Sequence, residues 1–158
     1  MEIRLIYHDT NDLVRGLGVT AKQVHDRLTH FMGKSVRLLS RRIAELAPLG
    51  ATSRLKASFY SRVIKQGDKV IGIVTHHDGA FYAGYVNNGT EPHQVPPKRL
   101  IPWASAKLGS PVAAYAVSDK IAREGSPGQF FFERALEEVR PTIDADFERA
   151  AASFGGPL

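Results

Sequence analysis

The chain has 158 residues, a formal net charge of +5 and a pI near 9.6, with 43% hydrophobic and 23% charged residues. That is an ordinary globular composition, and the length suits one domain burying roughly 70% of its unfolded surface without disulfide or metal staples. Cysteine is absent, which excludes disulfide frameworks, cysteine-ligated zinc, iron–sulfur clusters and thiol nucleophiles. No apolar leader follows Met1, and no apolar run reaches the length of a membrane span, so the expectation is a soluble, single-domain protein made in the cytoplasm, with no membrane partner.

Asp9–Leu17 offers a short helical turn capped by Asp9 or Thr10. The most readable element follows. Thr20 is the predicted N-cap, and Val24, Leu28, Phe31, Leu38, Leu39, Ile43 and Leu46 recur at helical spacing until Pro48 stops them. This predicts an amphipathic helix of about 27 residues, roughly 40 Å long. Its other face carries Lys22, Arg27, Lys34, Arg37, Arg41 and Arg42.

After Pro48 the period changes. Phe59–Lys65 alternates as a strand, Gln66–Gly67–Asp68 has turn chemistry, and Val70–Thr75 is β-branched. These predict an antiparallel hairpin, which needs the long helix as a lid because an isolated hairpin is marginal in water. His76–Gly79 reads as a loop, and Ala80–Val86 as either a strand or a short helix ended by Asn87–Asn88–Gly89. Glu91–Pro102 holds prolines at 92, 96, 97 and 102 and reads as an extended, irregular loop. Pro111–Arg123 reads as a helix broken by Gly125–Gly128. Phe132, Leu136, Val139, Ile143, Phe147, Ala150 and Phe154 form one helical stripe, within which Pro141 predicts a kink or a break. Residues 155–158 read as a frayed tail.

Catalytic chemistry has little support in these residues. His76, His77 and Asp78, with His93 downstream, could ligate zinc or exchange protons, but their spacing fits no metal-site pattern. No strained Gly-x-Ser-x-Gly turn exists for a serine nucleophile. Gly16–Leu17–Gly18 lacks the rest of a dinucleotide fingerprint, and Gly33–Lys34–Ser35 falls inside the long helix without an upstream glycine. No catalytic residue, metal or cofactor is assigned. Lys34, Arg37, Arg41 and Arg42 could meet phosphates or form a solvated face. No base-reading module accompanies them.

Three stretches carry a family resemblance. Ala47-Pro48-Leu49-Gly50-Ala51-Thr52-Ser53-Arg54-Leu55-Lys56-Ala57-Ser58 resembles an A-P-x-x-T-G-x-L-x-x-S run, through Pro48, Thr52, Leu55 and Ser58. Tyr82-Ala83-Gly84-Tyr85-Val86-Asn87-Asn88-Gly89-Thr90 resembles Y-A-x-x-V-E-x-G-T, through Tyr82, Ala83, Val86, Gly89 and Thr90. Gly128–Ala135 resembles the P-F-L-x-x-A opening of a final helix, through Phe131 and Ala135. In this order and spacing they are similar to the minor tail, or neck, proteins that complete the tails of long-tailed bacteriophages. The chain departs by Ser53 where a glycine is customary, by asparagine before Gly89–Thr90 where an acid is, and by a longer link over about 96–124.

The resemblance implies an α+β fold, with a long helix packed on a small antiparallel sheet and a C-terminal helix alongside, and a non-enzymatic, commonly six-fold ring at the joint between capsid and tail. Partners would be the head-completion (connector) protein on one side and the tail terminator or tube on the other, with DNA as passing cargo and the virion as location. Rings need one patch to meet a different patch on the neighbour. The proline-rich stretch with Leu100, Ile101 and Trp103 is the candidate subunit contact, unless Trp103 tucks into its own core. The alternative function is a small basic nucleic-acid-binding protein, and an enzyme using the histidines stands third.

Overall fold

The computed structural model describes residues 1–7, 20–49, 53–67 and 69–154. The expected turn at Asp9–Leu17, Thr52, Asp68 of the hairpin turn and the tail 155–158 lie outside the described residues. The protein is α+β, as its patterning requires.

Helix α1 (Ala21–Leu46) starts where expected. Thr20 Oγ1 accepts from Gln23 N–H at 3.2 Å, and Gln23 Oε1 accepts from Thr20 N–H at 3.0 Å, a reciprocal capping box. Its apolar stripe lies on a three-stranded antiparallel sheet of order β1-β3-β2, formed by β1 (Ile3–Tyr7), β2 (Phe59–Gln66) and β3 (Lys69–His76). The hairpin pairs Val63 with Gly72 and Ile64 with Ile71. Strand β1 was not foreseen, and it pairs along the free edge of β3, Leu5 facing Gly72. As the central strand, β3 buries Val70 through Val74. A side chain at Gly72 would begin 2.4 Å from Val36 Cγ1, so the absent side chain is what lets α1 seat closely on the sheet.

The C-terminal helix α6 (Phe131–Phe154) runs antiparallel to α1: Phe31 packs edge-on against Phe147, and Arg42 meets Glu138. Of the kink or break expected at Pro141 the break does not occur, since one helix runs through it. Pro141 faces solvent, where the helix loses one backbone hydrogen bond but none of its apolar stripe. Phe131, Phe132, Ala135 and Val139 join Val36, Leu39, Ile43 and Val74 in the main core, and Phe59 packs edge-on against both phenylalanines. Each such large side chain contributes roughly 1.5–3 kcal/mol on full burial.

Helix α2 (Arg54–Ser58) leads directly into β2, and after β3 the chain forms a 3-10 turn (Asp78–Ala80) and α3 (Ala83–Asn88), which resolves the open reading of Ala80–Val86 in favour of a short helix. The proline-rich stretch is corrected. It is not an irregular loop through Pro102: helix α4 spans Pro97–Leu108, and α5 spans Ala113–Glu124. Pro97 sits at the first helical position, where its missing N–H has no partner to lose, and Pro102 is exposed. The two helices pack as a hairpin, an arm closed at its base by a two-stranded ribbon, β4 (Gly89–Thr90) with β5 (Ser126–Pro127).

Candidate functional site: an apolar cleft under the helical arm

The ribbon holds the arm in a defined place because its backbones approach closely. Gly89 has φ 81°, ψ −175° and Gly125 has φ 75°, ψ −160°, conformations essentially confined to glycine. A Cβ on Gly125 would lie 2.0 Å from Thr90 O, and one on Gly89 would lie 2.4 Å from Ser126 O. Thr90 Oγ1 accepts from Ser126 N–H at 3.2 Å, Ser118 Oγ donates to Val95 O at 2.6 Å, and His93 N–H donates to Ile121 O at 3.3 Å.

Under the arm lies a cleft of about 780 Å³. The body side is built by Pro48, Leu49, Arg54, Leu55, Tyr82, Tyr85 and Val86. The arm side is built by Leu100, Trp103 and Lys107 on α4 and by Val117, Lys120 and Ile121 on α5, with Thr90, His93 and the β5 residues at the ribbon. Its size and apolar lining are those of a recognition site. Leu49, Tyr85 and Trp103 remain substantially open to solvent, Trp103 at 36%.

The residues singled out in the sequence distribute as follows. Pro48, Leu55, Tyr82, Val86 and Thr90 meet at this cleft. Ala83, Phe131 and Ala135 are core, and Ser58 is buried with its hydroxyl donating to Leu55 O at 2.7 Å. Gly89 belongs to the ribbon. Leu100 and Trp103 join the cleft from a helix instead of projecting from a loop, and half-buried Ile101 does not line it. On the arm the apolar groups left exposed are at its end, Leu108, Val112 at 72% and Tyr115 at 55% exposure, while Phe81 and Phe130 are exposed on the body.

One glycine-like position and one buried amide bear on the motifs. Ser53, standing where a glycine is customary, has φ 53°, the left-handed region. Asn87 is fully buried. Its Oδ1 accepts from Phe132 N–H at 3.0 Å, and its Nδ2 donates to the Glu133 carboxylate at 2.9 and 3.1 Å. Gln129 and Phe130 N–H groups donate to Val86 O and Asn87 O. The second and third motif stretches are thus one hydrogen-bonded unit.

The basic face of α1 is less free than its sequence. Arg42 is bonded to Glu45 at 2.8 Å and to Glu138, and the bond to Glu45 first and that to Glu138 second raise its pKa above the ordinary value. Arg41 lies 3.8 Å from Glu45. Lys34 and Arg37 are exposed and form no ion pair among the described residues.

The histidines do not converge. His76 Nε2 is 3.0 Å from the Met1 amine, His77 stacks on Tyr60 at 4.5 Å, and His93 Nδ1 lies 2.8 Å from Glu91 O. Among the described residues no group of three His, Asp or Glu side chains could hold a metal ion. No helix among them is long and apolar enough to cross a membrane.

Sequence reasoning missed Leu49, Tyr85, Asn87, Val117, Ile121 and the cations Arg54, Lys107 and Lys120. A signal existed for the arm: residues 100, 103 and 107, and residues 117, 120 and 121, are each one helical face. The prolines concealed it for α4. No family model, no curated protein and no solved structure matches the chain.

Proposed function

We propose that this protein is a non-enzymatic virion structural component, a neck or tail-completion protein that assembles as a homo-oligomeric ring, six-fold in the usual case, at the joint between capsid and tail. The head-completion (connector) protein and the tail terminator or tube flank it, and DNA crosses its channel as cargo. The observation that carries the reading is the arm: a helical hairpin on a rigid ribbon, with apolar Leu108, Val112 and Tyr115 exposed at its end. Exposed apolar groups on a projecting element suit a heterologous contact, in which one copy's arm meets a different surface of the next.

The left-handed backbone at Ser53 supports the same reading, because a customary glycine at that position is what such a turn requires. Lys34 and Arg37 are the cations available to passing phosphates. The test is assembly. The full chain, alone and with purified capsid–tail joints, is sized by light scattering and imaged by negative stain. Rings or added density at the joint are expected, and Val112→Ser with Tyr115→Ser should weaken them without unfolding the chain.

A further inference from the structure

The cleft has a chemical bias that the proposed role does not specify. Its wall is apolar, yet among the described residues every charged side chain that lines it is basic: Arg54, Lys107 and Lys120. No acid among the described residues lines it. Arg54 and Lys107 form no ion pair among the described residues, and Lys120 meets Glu124 only at 3.9 Å along its own exposed helix. An occupant that is apolar throughout would desolvate these cations without pairing them, at a cost. A polyphosphate would pair them and leave Leu55, Val86, Leu100 and Trp103 uncovered. A segment with one apolar stripe and flanking carboxylates satisfies both surfaces.

We propose that the cleft is the docking site for an acidic, amphipathic peptide segment of a partner protein. Its apolar side chains lie against Leu55, Leu100 and Trp103, and its carboxylates face Arg54 and Lys107. The proposal rests on the reading above only for where the partner comes from, an adjoining virion component. The cleft's chemistry stands on its own lining.

Trp103 is the chain's one tryptophan, so its fluorescence reports the cleft. The full chain is titrated with capped helical peptides of about four turns. One has a leucine stripe with glutamates elsewhere, a second has the stripe with lysines, and a third keeps the glutamates but replaces the stripe by serine. A DNA duplex is titrated in parallel. The expected result is a saturable emission shift with the Leu–Glu peptide, and at least about tenfold weaker binding of the other two peptides and the duplex. In the variant carrying Arg54→Glu and Lys107→Glu, both at exposed positions, the preference should pass to the Leu–Lys peptide. Absent saturation by the Leu–Glu peptide, equal binding of the lysine peptide, an unchanged preference in the double variant, or a stronger response to DNA would each overturn the proposal. These titrations read a single chain, so their failure leaves ring assembly untouched, and a failure to form rings leaves them untouched.

Discussion

Asn87 accepts a hydrogen bond from Phe132 N–H at 3.0 Å and donates to the Glu133 carboxylate at 2.9 Å, joining the end of α3 to the first turn of α6. Only an amide does both. An acid in its place would keep the first bond and set two carboxylates against each other. Asn87→Asp is therefore expected to destabilise the fold by about 1–3 kcal/mol, and Glu133→Gln in the same chain should recover part of that loss. Urea unfolding of the two single variants and the double variant measures it. Equal stability of Asn87→Asp and the parent would contradict it.

Ser53 has a left-handed backbone, which a glycine adopts without steric cost. Relief of that strain exceeds the entropy a glycine adds to the unfolded chain, so Ser53→Gly should stabilise by about 0.5 kcal/mol, and β-branched Ser53→Val should destabilise. Thermal unfolding of both variants gives the sign. A destabilised glycine variant would refute the role assigned to this turn.

Gly125 approaches Thr90 O so closely that no side chain fits between them. Gly125→Ala should open the ribbon and release the arm while the core of α1, α6 and the sheet stays folded. Hydrogen exchange should then accelerate across residues 97–124 and Trp103 emission should shift red. Uniform exchange behaviour across parent and variant would show that the ribbon does not hold the arm.

Two of the four cations considered for a DNA-facing role are held by carboxylates, which leaves Lys34 and Arg37. Residual duplex binding should show a log–log salt slope no steeper than about −2, and Lys34→Glu with Arg37→Glu should abolish it. A slope several times steeper would favour the nucleic-acid-binding alternative.

The elements legible in the sequence were those whose pattern is long and local. Thr20 with the stripe from Val24 to Leu46 named α1, the β-branched run at Val70–Thr75 named β3, and the stripe from Phe132 named α6. Strand β1 was not legible because its five residues acquire meaning only when Leu5 faces Gly72, across some sixty-seven positions of chain. Helix α5 was legible in Pro111–Arg123, but α4 was misread because Pro96 and Pro97 are equally at home in a loop and at the start of a helix. Leu55, Val86 and Trp103 each stood out in the sequence, the first two by motif and the third in the proline-rich stretch, but no periodicity connects them, so their meeting in one cleft was not legible.

Assembly at a head–tail joint is tested most directly by mass-resolved size and imaging of the full chain, with and without purified capsid–tail joints. Closed rings, or new density at the joint, are the expected result. A chain that stays monomeric, ignores the particle and shifts DNA at low salt would contradict the structural role and leave a basic nucleic-acid-binding protein in its place.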